Sequence, residues 1–138
     1  MKIENIKFRG KSKRTGEWLY GDLEYNRKKD IARIHSYDDE GGYIGQQEVD
    51  KETIGQFIGM TDKNENKIYD GDIIKTDDGL DISGYYKVSY DIDTTGFVCV
   101  GKDVHCHPGI IEEFSDIVVV GNIYDNKELL TQEYERID

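Results

Sequence analysis

The stretch QFIGMTDKNENKIYDGDIIK, residues 56–75, decides the fold. Phe57, Ile58 and Met60 form one apolar run and Ile68 and Tyr69 a second, with Asp62 to Asn66 between them. Asp and Asn bend a chain because their short side chains accept hydrogen bonds from main-chain amides a few residues on, and brief runs of branched and aromatic residues bounded by such turn formers are strands. Asp70-Gly71 then turns the chain again into Asp72-Ile73-Ile74-Lys75. The reading is strand, turn, strand, turn, strand, with a positive φ expected at Gly71, where the missing Cβ removes the usual clash.

Further along, the same style continues. Tyr85 to Tyr90 alternates, Asp91 to Gly96 is rich in turn formers, and Phe97-Val98-Cys99-Val100 completes a hairpin. Ile117 to Tyr124 is the most β-prone run of the chain and reads as a central strand buried on both faces, framing a barrel with Ile73 and Ile74. Before the opening stretch, Met1 to Phe8 and Glu17 to Leu23 read as two strands joined by a basic turn over Gly10 to Gly16, and Ile31 to Tyr37 with Tyr43 to Val49 as a second hairpin through Asp38 to Gly42. Tyr20-Gly21-Asp22-Leu23 looks like an early copy of Tyr69-Asp70-Gly71-Asp72-Ile73, an aromatic and a Gly turn leading into a strand. The predicted fold is all-β: an N-terminal hairpin subdomain over 1–50, bounded near Asp50 to Thr53, and an SH3-like barrel over 51–138 that ends in a short helix. The helix would be capped by Asn126 and carry Leu129, Leu130 and Tyr134 on its apolar side.

Two segments also resemble a known family. Ile58 to Ile74 is similar to the signature of the YopX-like proteins of bacteriophages and prophages, Thr-Gly-Leu-x-Asp-Lys-Asn-Gly-x-x-Ile-Tyr-Glu-Gly-Asp-Ile-Val, with Gly59, Asp62, Lys63, Asn64, Ile68, Tyr69, Gly71, Asp72 and Ile73 matching in place. Gly121-Asn122-Ile123-Tyr124 and the residues to Leu130 are similar to the family's closing Gly-Asn-Ile-Tyr-Glu-Asn-Pro-Glu-Leu-Leu, with Lys127 in place of Pro. The Lys-Phe-Arg opening followed by Tyr-Gly-Asp-Leu is similar to the family's N-termini. Glu65 stands where the family usually has Gly, so Asn64 or Asn66 is expected to supply any positive φ in that turn. The resemblance implies a phage or prophage accessory protein and brings no established activity with it.

Composition narrows the classes. A chain of 138 residues buries about 68–70% of its unfolded surface, enough for a core without metals or disulfides. Ten Tyr, four Phe and one Trp against 34% charged residues suit a thin β core. No apolar run is long enough to span a bilayer and no leader pattern follows Met1, so a cytoplasmic protein without membrane contact is expected. Cys99 and Cys106 are the only cysteines and are expected reduced. Net charge is −11, laid out unevenly: residues 1–36 carry +5 and residues 37–138 carry −16. A basic segment beside acidic remainder invites packing within or between chains, with charge setting register.

Candidate chemistry is sparse. Cys99, His105, Cys106 and His107 are the only soft-ligand cluster, but adjacent strand residues face opposite ways and no Cys-x2-Cys pair anchors them, so neither a metal site nor a cysteine nucleophile is expected. Asp70 and Asp72 lack a base or nucleophile beside them and read as turn residues. No phosphate-cradling Gly-rich loop or serine elbow is present, and no catalytic residue or cofactor is assigned. The candidate interaction residues are Trp18 and Tyr20, as aromatic anchors, with Lys11, Lys13 and Arg14 in the basic turn. They point first to a non-enzymatic module that binds a protein partner, which includes a second copy of the chain. Nucleic-acid binding by the basic hairpin is the alternative, disfavoured by net charge, and an acidic mimic of nucleic acid acting on a host DNA-binding enzyme is a further one.

Overall fold

A computed structural model describes residues 2–76, 84–101, 105–106 and 116–130. The fold is all-β, built of antiparallel strands. Contacts cluster into two units, Met1–Gly59 and Met60–Asp138, and the Asp50 to Thr53 segment stays with the first. The reason is local. Lys51–Thr53 forms one 3-10 turn, capped by the Asp50 carboxylate on the Glu52 amide, and Thr53 Oγ1 accepts from the Lys11 amide at 2.9 Å, which ties the segment back to the first strand.

In the first unit the strands are β1 (Phe8–Lys11), β2 (Trp18–Asn26), β3 (Ile31–Tyr37), β4 (Tyr43–Val49) and the start of β5 (Gly55–Thr61), ordered β4-β3-β2-β1-β5. Chain entry differs from the expected strand over 1–8: Ile3–Asn5 is a 3-10 turn, and extended pairing begins at Phe8. Gly21 is not a turn either. It lies inside β2, where that strand stops pairing with β1 (Phe8 opposite Gly21) and starts pairing with β3 (Asp22 opposite His35). A Cβ at Gly21 would lie 1.9 Å from the His35 carbonyl oxygen, so only glycine lets the two strands cross over here.

The sheet curls until the end of β4 meets the segment that follows β1. Ser12, just past β1, bridges Val49 at the end of β4; Lys13 N–H donates to Glu48 O at 3.1 Å and Asp50 N–H to Lys11 O at 2.8 Å. Inside the curl lie Ala32, Ile34 and Val49, with Phe8, Leu19, Leu23 and Ile54 packed on them. Gly10 sits directly over Val49, where an added Cβ would stand 3.1 Å from the valine side chain. Each fully buried aliphatic side chain contributes about 1.5–3 kcal/mol.

The second unit holds β6 (Lys67–Tyr69), β7 (Asp72–Lys75), β8 (Tyr85–Asp91), β9 (Gly96–Val100), β10 (His105–Cys106) and β11 (Val118–Asn122). Its five-stranded sheet runs β10-β9-β8-β7-β11. The order is linear, with no pairing of β10 to β11 among the described residues. β7 is an inner strand covered on both faces, with Ile73 and Ile74 fully buried. The run expected as a central strand is, among the described residues, the edge strand β11, partly buried and paired only with β7. Residues 128–130 open a helical turn, with Leu129 N–H on Asn126 O at 3.0 Å; Tyr134 and the rest of the expected helix lie outside the described residues.

Candidate functional site

The signature residues come together as architecture. Asp62 is 6% exposed, and its carboxylate gathers four donors: Oδ1 accepts from the Asn64 and Asn66 amides at 2.9 Å each, while Oδ2 accepts from the Val119 amide at 3.0 Å and Asn66 Nδ2 at 3.4 Å. Lys63 N–H adds a bond to Ile117 O at 3.0 Å. The outer edge of β11 is thus finished by a turn 57 residues away in sequence, which explains how this apolar run sits at a sheet edge. Burial alone would raise the Asp62 pKa, but the amides of Val119, Asn66 and Asn64 outweigh it and hold the carboxyl below its ordinary value. Positive φ in this turn falls on Glu65 itself, at 67°, and not on Asn64 or Asn66.

Asp72 and Gly71 do similar work at the next corner. Asp72 Oδ2 accepts from Tyr69 N–H at 2.8 Å, and Gly71, at φ 94°, donates to Val88 O and accepts from Ile123 N–H, at 2.8 and 2.9 Å. In the closing motif Asn122 Oδ1 accepts from the amides of Tyr124 and Asp125, at 3.0 and 2.9 Å. Asn126 does not spend its side chain on the helix: Oδ1 turns back to Asn122 N–H at 3.1 Å, so close to Gly121 that a Cβ there would meet it at 2.5 Å.

Of the candidate interaction residues, Trp18 and Lys11 face each other across β1 and β2, as do Tyr20 and Arg9, on the side opposite Phe8 and Leu19, where Arg9 is itself buried. The Arg9 guanidinium and Lys11 ammonium lie over the Trp18 ring, 4.7 and 5.5 Å from its centroid. Lys13 pairs with Glu48 at 2.8 Å, and this hydrogen bond, with the glutamate charge, raises its pKa. Arg14 is carried on the turn after Ser12, whose Oγ accepts from the Arg14 and Thr15 amides. The soft-ligand candidates separate differently. β10 sets Cys106 opposite buried Cys99, the His105 and Cys106 side chains are not described, and His107 lies outside the described residues. Among the described residues no group of three His, Cys, Asp or Glu is arranged around a possible ion.

Sequence reasoning missed the cluster that completes this face. On β3 and β4, His35 sits between Glu24 (Nε2 to Oε1, 2.7 Å) and Tyr43 (Nδ1 to Oη, 3.1 Å), and Tyr37 packs edge-on against Tyr43 with centroids 5.5 Å apart. The His35 hydrogen bond lowers the Glu24 pKa, helped by Arg33 at 3.5 Å; desolvation, then the neighbouring Asp22, raises that of Tyr37. The period-two pattern of Ile31 to Tyr37 contained the signal, since it put Arg33, His35 and Tyr37 together on the face opposite Ala32 and Ile34. The row is an open surface: Tyr20, Tyr37 and Tyr43 are 43%, 45% and 56% exposed.

No helix among the described residues is long and apolar enough to cross a membrane. A comparison with functionally curated proteins finds no match. The model of the family described as YopX protein matches residues 7–131. That span takes in both signature segments, the curled first sheet and the Asp62 turn, and the chain belongs to the YopX protein family.

Proposed function

We propose that this chain is a non-enzymatic protein-interaction module, a phage or prophage accessory protein of the cytoplasm, that binds a partner protein through the outer face of β1–β4. The observation that carries the reading is the exposed row of Tyr20, Tyr37 and Tyr43, bordered by Trp18, His35 and Arg33. Tyrosines tied down by neighbours lose little freedom on contact and offer an apolar ring with a polar tip, the composition of binding hot spots. The one His–carboxylate pair among the described residues, Glu24–His35, is tied to a phenol on an open face, which favours a rigid recognition surface over a reaction site. Nucleic acid is less well supported: Lys13 is paired with Glu48, and the Trp18 ring already has two cations over it.

The test uses wild type and a Tyr20→Ser/Tyr37→Ser/Tyr43→Ser variant with a matching melt as baits in bacterial lysate, with sedimentation of the pure protein alongside. A specific partner, or self-association above 15.9 kDa, held by wild type and lost by the variant is expected. Equal retention by both, or DNA affinity with a steep salt dependence and no protein partner, would overturn it.

A further inference from the structure

The curl of the first sheet is closed at one end only. Ser12 pairs with Val49, and the main-chain groups of Glu48 and Asp50 point outward to meet Lys13 and Lys11. Antiparallel ladders alternate, so Gln46, two residues before Glu48, also turns its N–H and C=O outward, but the basic turn has ended and among the described residues no such bond continues the ladder there. Between this edge and the turn lies a cleft of about 480 Å³, lined by Leu19, Ile34, Ile44 and Gln46 among others, with Arg14 the only ionised side chain among its described lining residues. Its floor is mostly apolar, with Ser36 and Gln47 also lining it, one wall is a strand edge, and the rim carries one cation.

We propose that this cleft takes an extended segment of a partner protein, which continues the Ser12 ladder along Ile44–Gln46, sets an apolar side chain against Leu19 and Ile44, and places a carboxylate against Arg14. The inference rests on the protein-binding reading above and locates a second contact, distinct from the tyrosine face. Strand addition supplies affinity through the main chain and specificity through alternate side chains, and the cleft offers both parts. A second copy of the chain fits less well. Its free β4 edge would turn Gly45 and Gln47 inward, which leaves the apolar floor uncovered, because Val49 is already buried in its own core. A segment with an aliphatic residue flanked two positions away by Asp or Glu fits the floor and the rim together.

The experiment is selection from a random twelve-residue peptide library on the full chain, followed by amide chemical-shift mapping of the enriched peptide. Alternating apolar residues with one acidic position are expected, with shifts at Leu19 and Ile44–Gln46. Arg14→Glu should weaken that peptide at least tenfold and, used as bait, enrich a basic residue at the same position. Gln46→Pro removes the outward N–H together with the side chain and should abolish binding; should it unfold the chain, the Arg14→Glu charge swap still decides. Enrichment without an acidic position, shifts confined to the tyrosine face, or peptide binding lost in Trp18→Ala but kept in Arg14→Glu would overturn the cleft while leaving the protein-binding reading intact. A dimer that protects the Gln46 amide without peptide would overturn it in favour of a second copy. No enriched peptide, together with no captured partner, would remove both readings.

Discussion

Replacing Asp62 tests the architecture at its most connected point. The carboxylate takes three main-chain amides and one side-chain amide, and it is nearly out of contact with water. Asp62→Ala strands those donors. Hydrogen bonds to a charged acceptor are worth about 1.5–3 kcal/mol each, and a buried unsatisfied amide costs about 1–3 kcal/mol, but neighbouring effects are not additive. A loss of about 3–5 kcal/mol is expected, a large share of a typical 5–15 kcal/mol. At about 4–8 °C per kcal/mol for a unit of this size, the melt of the second unit should fall by at least about 12 °C. Asp62→Asn keeps one acceptor but points an NH2 group at another donor, and should lose roughly half as much. The assay is thermal and urea unfolding by circular dichroism, with hydrogen exchange at the Val119 amide as the local readout. Because the folded carboxyl is held below the usual value of about 3.9, its contribution is present above that pH and lost as pH falls through the folded value. The wild-type advantage over Asp62→Asn should therefore shrink only below about pH 4. Melts within 2 °C of each other (roughly half a kcal/mol on the same scale), or an unchanged Val119 exchange rate, would refute the reasoning.

Three further outcomes follow from single positions. Gly71→Val places a β-branched residue at φ 94° and should cost at least about 1–3 kcal/mol; a wild-type melt would mean that the corner is held some other way. Glu65→Gly relieves a left-handed φ of 67° at the expense of chain entropy, so stability should rise by up to about 1 kcal/mol, and a lower melting temperature counts against the turn as described. Gly121→Ala should displace Asn126 Oδ1, so Gly121→Ala and Asn126→Ala should be non-additive by about 0.5–3 kcal/mol in a double-mutant cycle, where strict additivity would dissolve the proposed contact.

The two hairpins 31–49 and 85–100 were legible because period-two alternation and turn chemistry are both local properties. What escaped was set by distant partners. Ile117 to Val120 is apolar enough for a central strand, and nothing in its own residues says that a carboxylate at position 62 will occupy one of its edges. Gly21 looks like a turn because Tyr-Gly-Asp does elsewhere in the chain; its real constraint is the His35 carbonyl, which only folding brings near. Asn126 was read as a cap from its place before a helix, but its side chain is claimed by Asn122. The tyrosine face was half legible: Trp18 and Tyr20 stood out as large residues beside basic ones, while Tyr37 and Tyr43 stayed hidden among polar neighbours until β3 and β4 paired.

The handover at Gly21 also bears on how this chain tolerates change in length. β2 answers to two frames at once, keeping Trp18 opposite Lys11 on one side of the glycine and Leu23 opposite Ile34 on the other. An extra residue between Asp22 and Leu23 would leave the first frame intact and shift the second by one, turning Leu23 outward and Glu24 toward the core. The hairpin tip at Asp38 to Gly42 carries no such double obligation, being closed by its own Asp38 carboxylate on the Glu40 and Gly42 amides. Insertions and deletions among relatives should therefore collect at that tip and avoid the nine residues of β2.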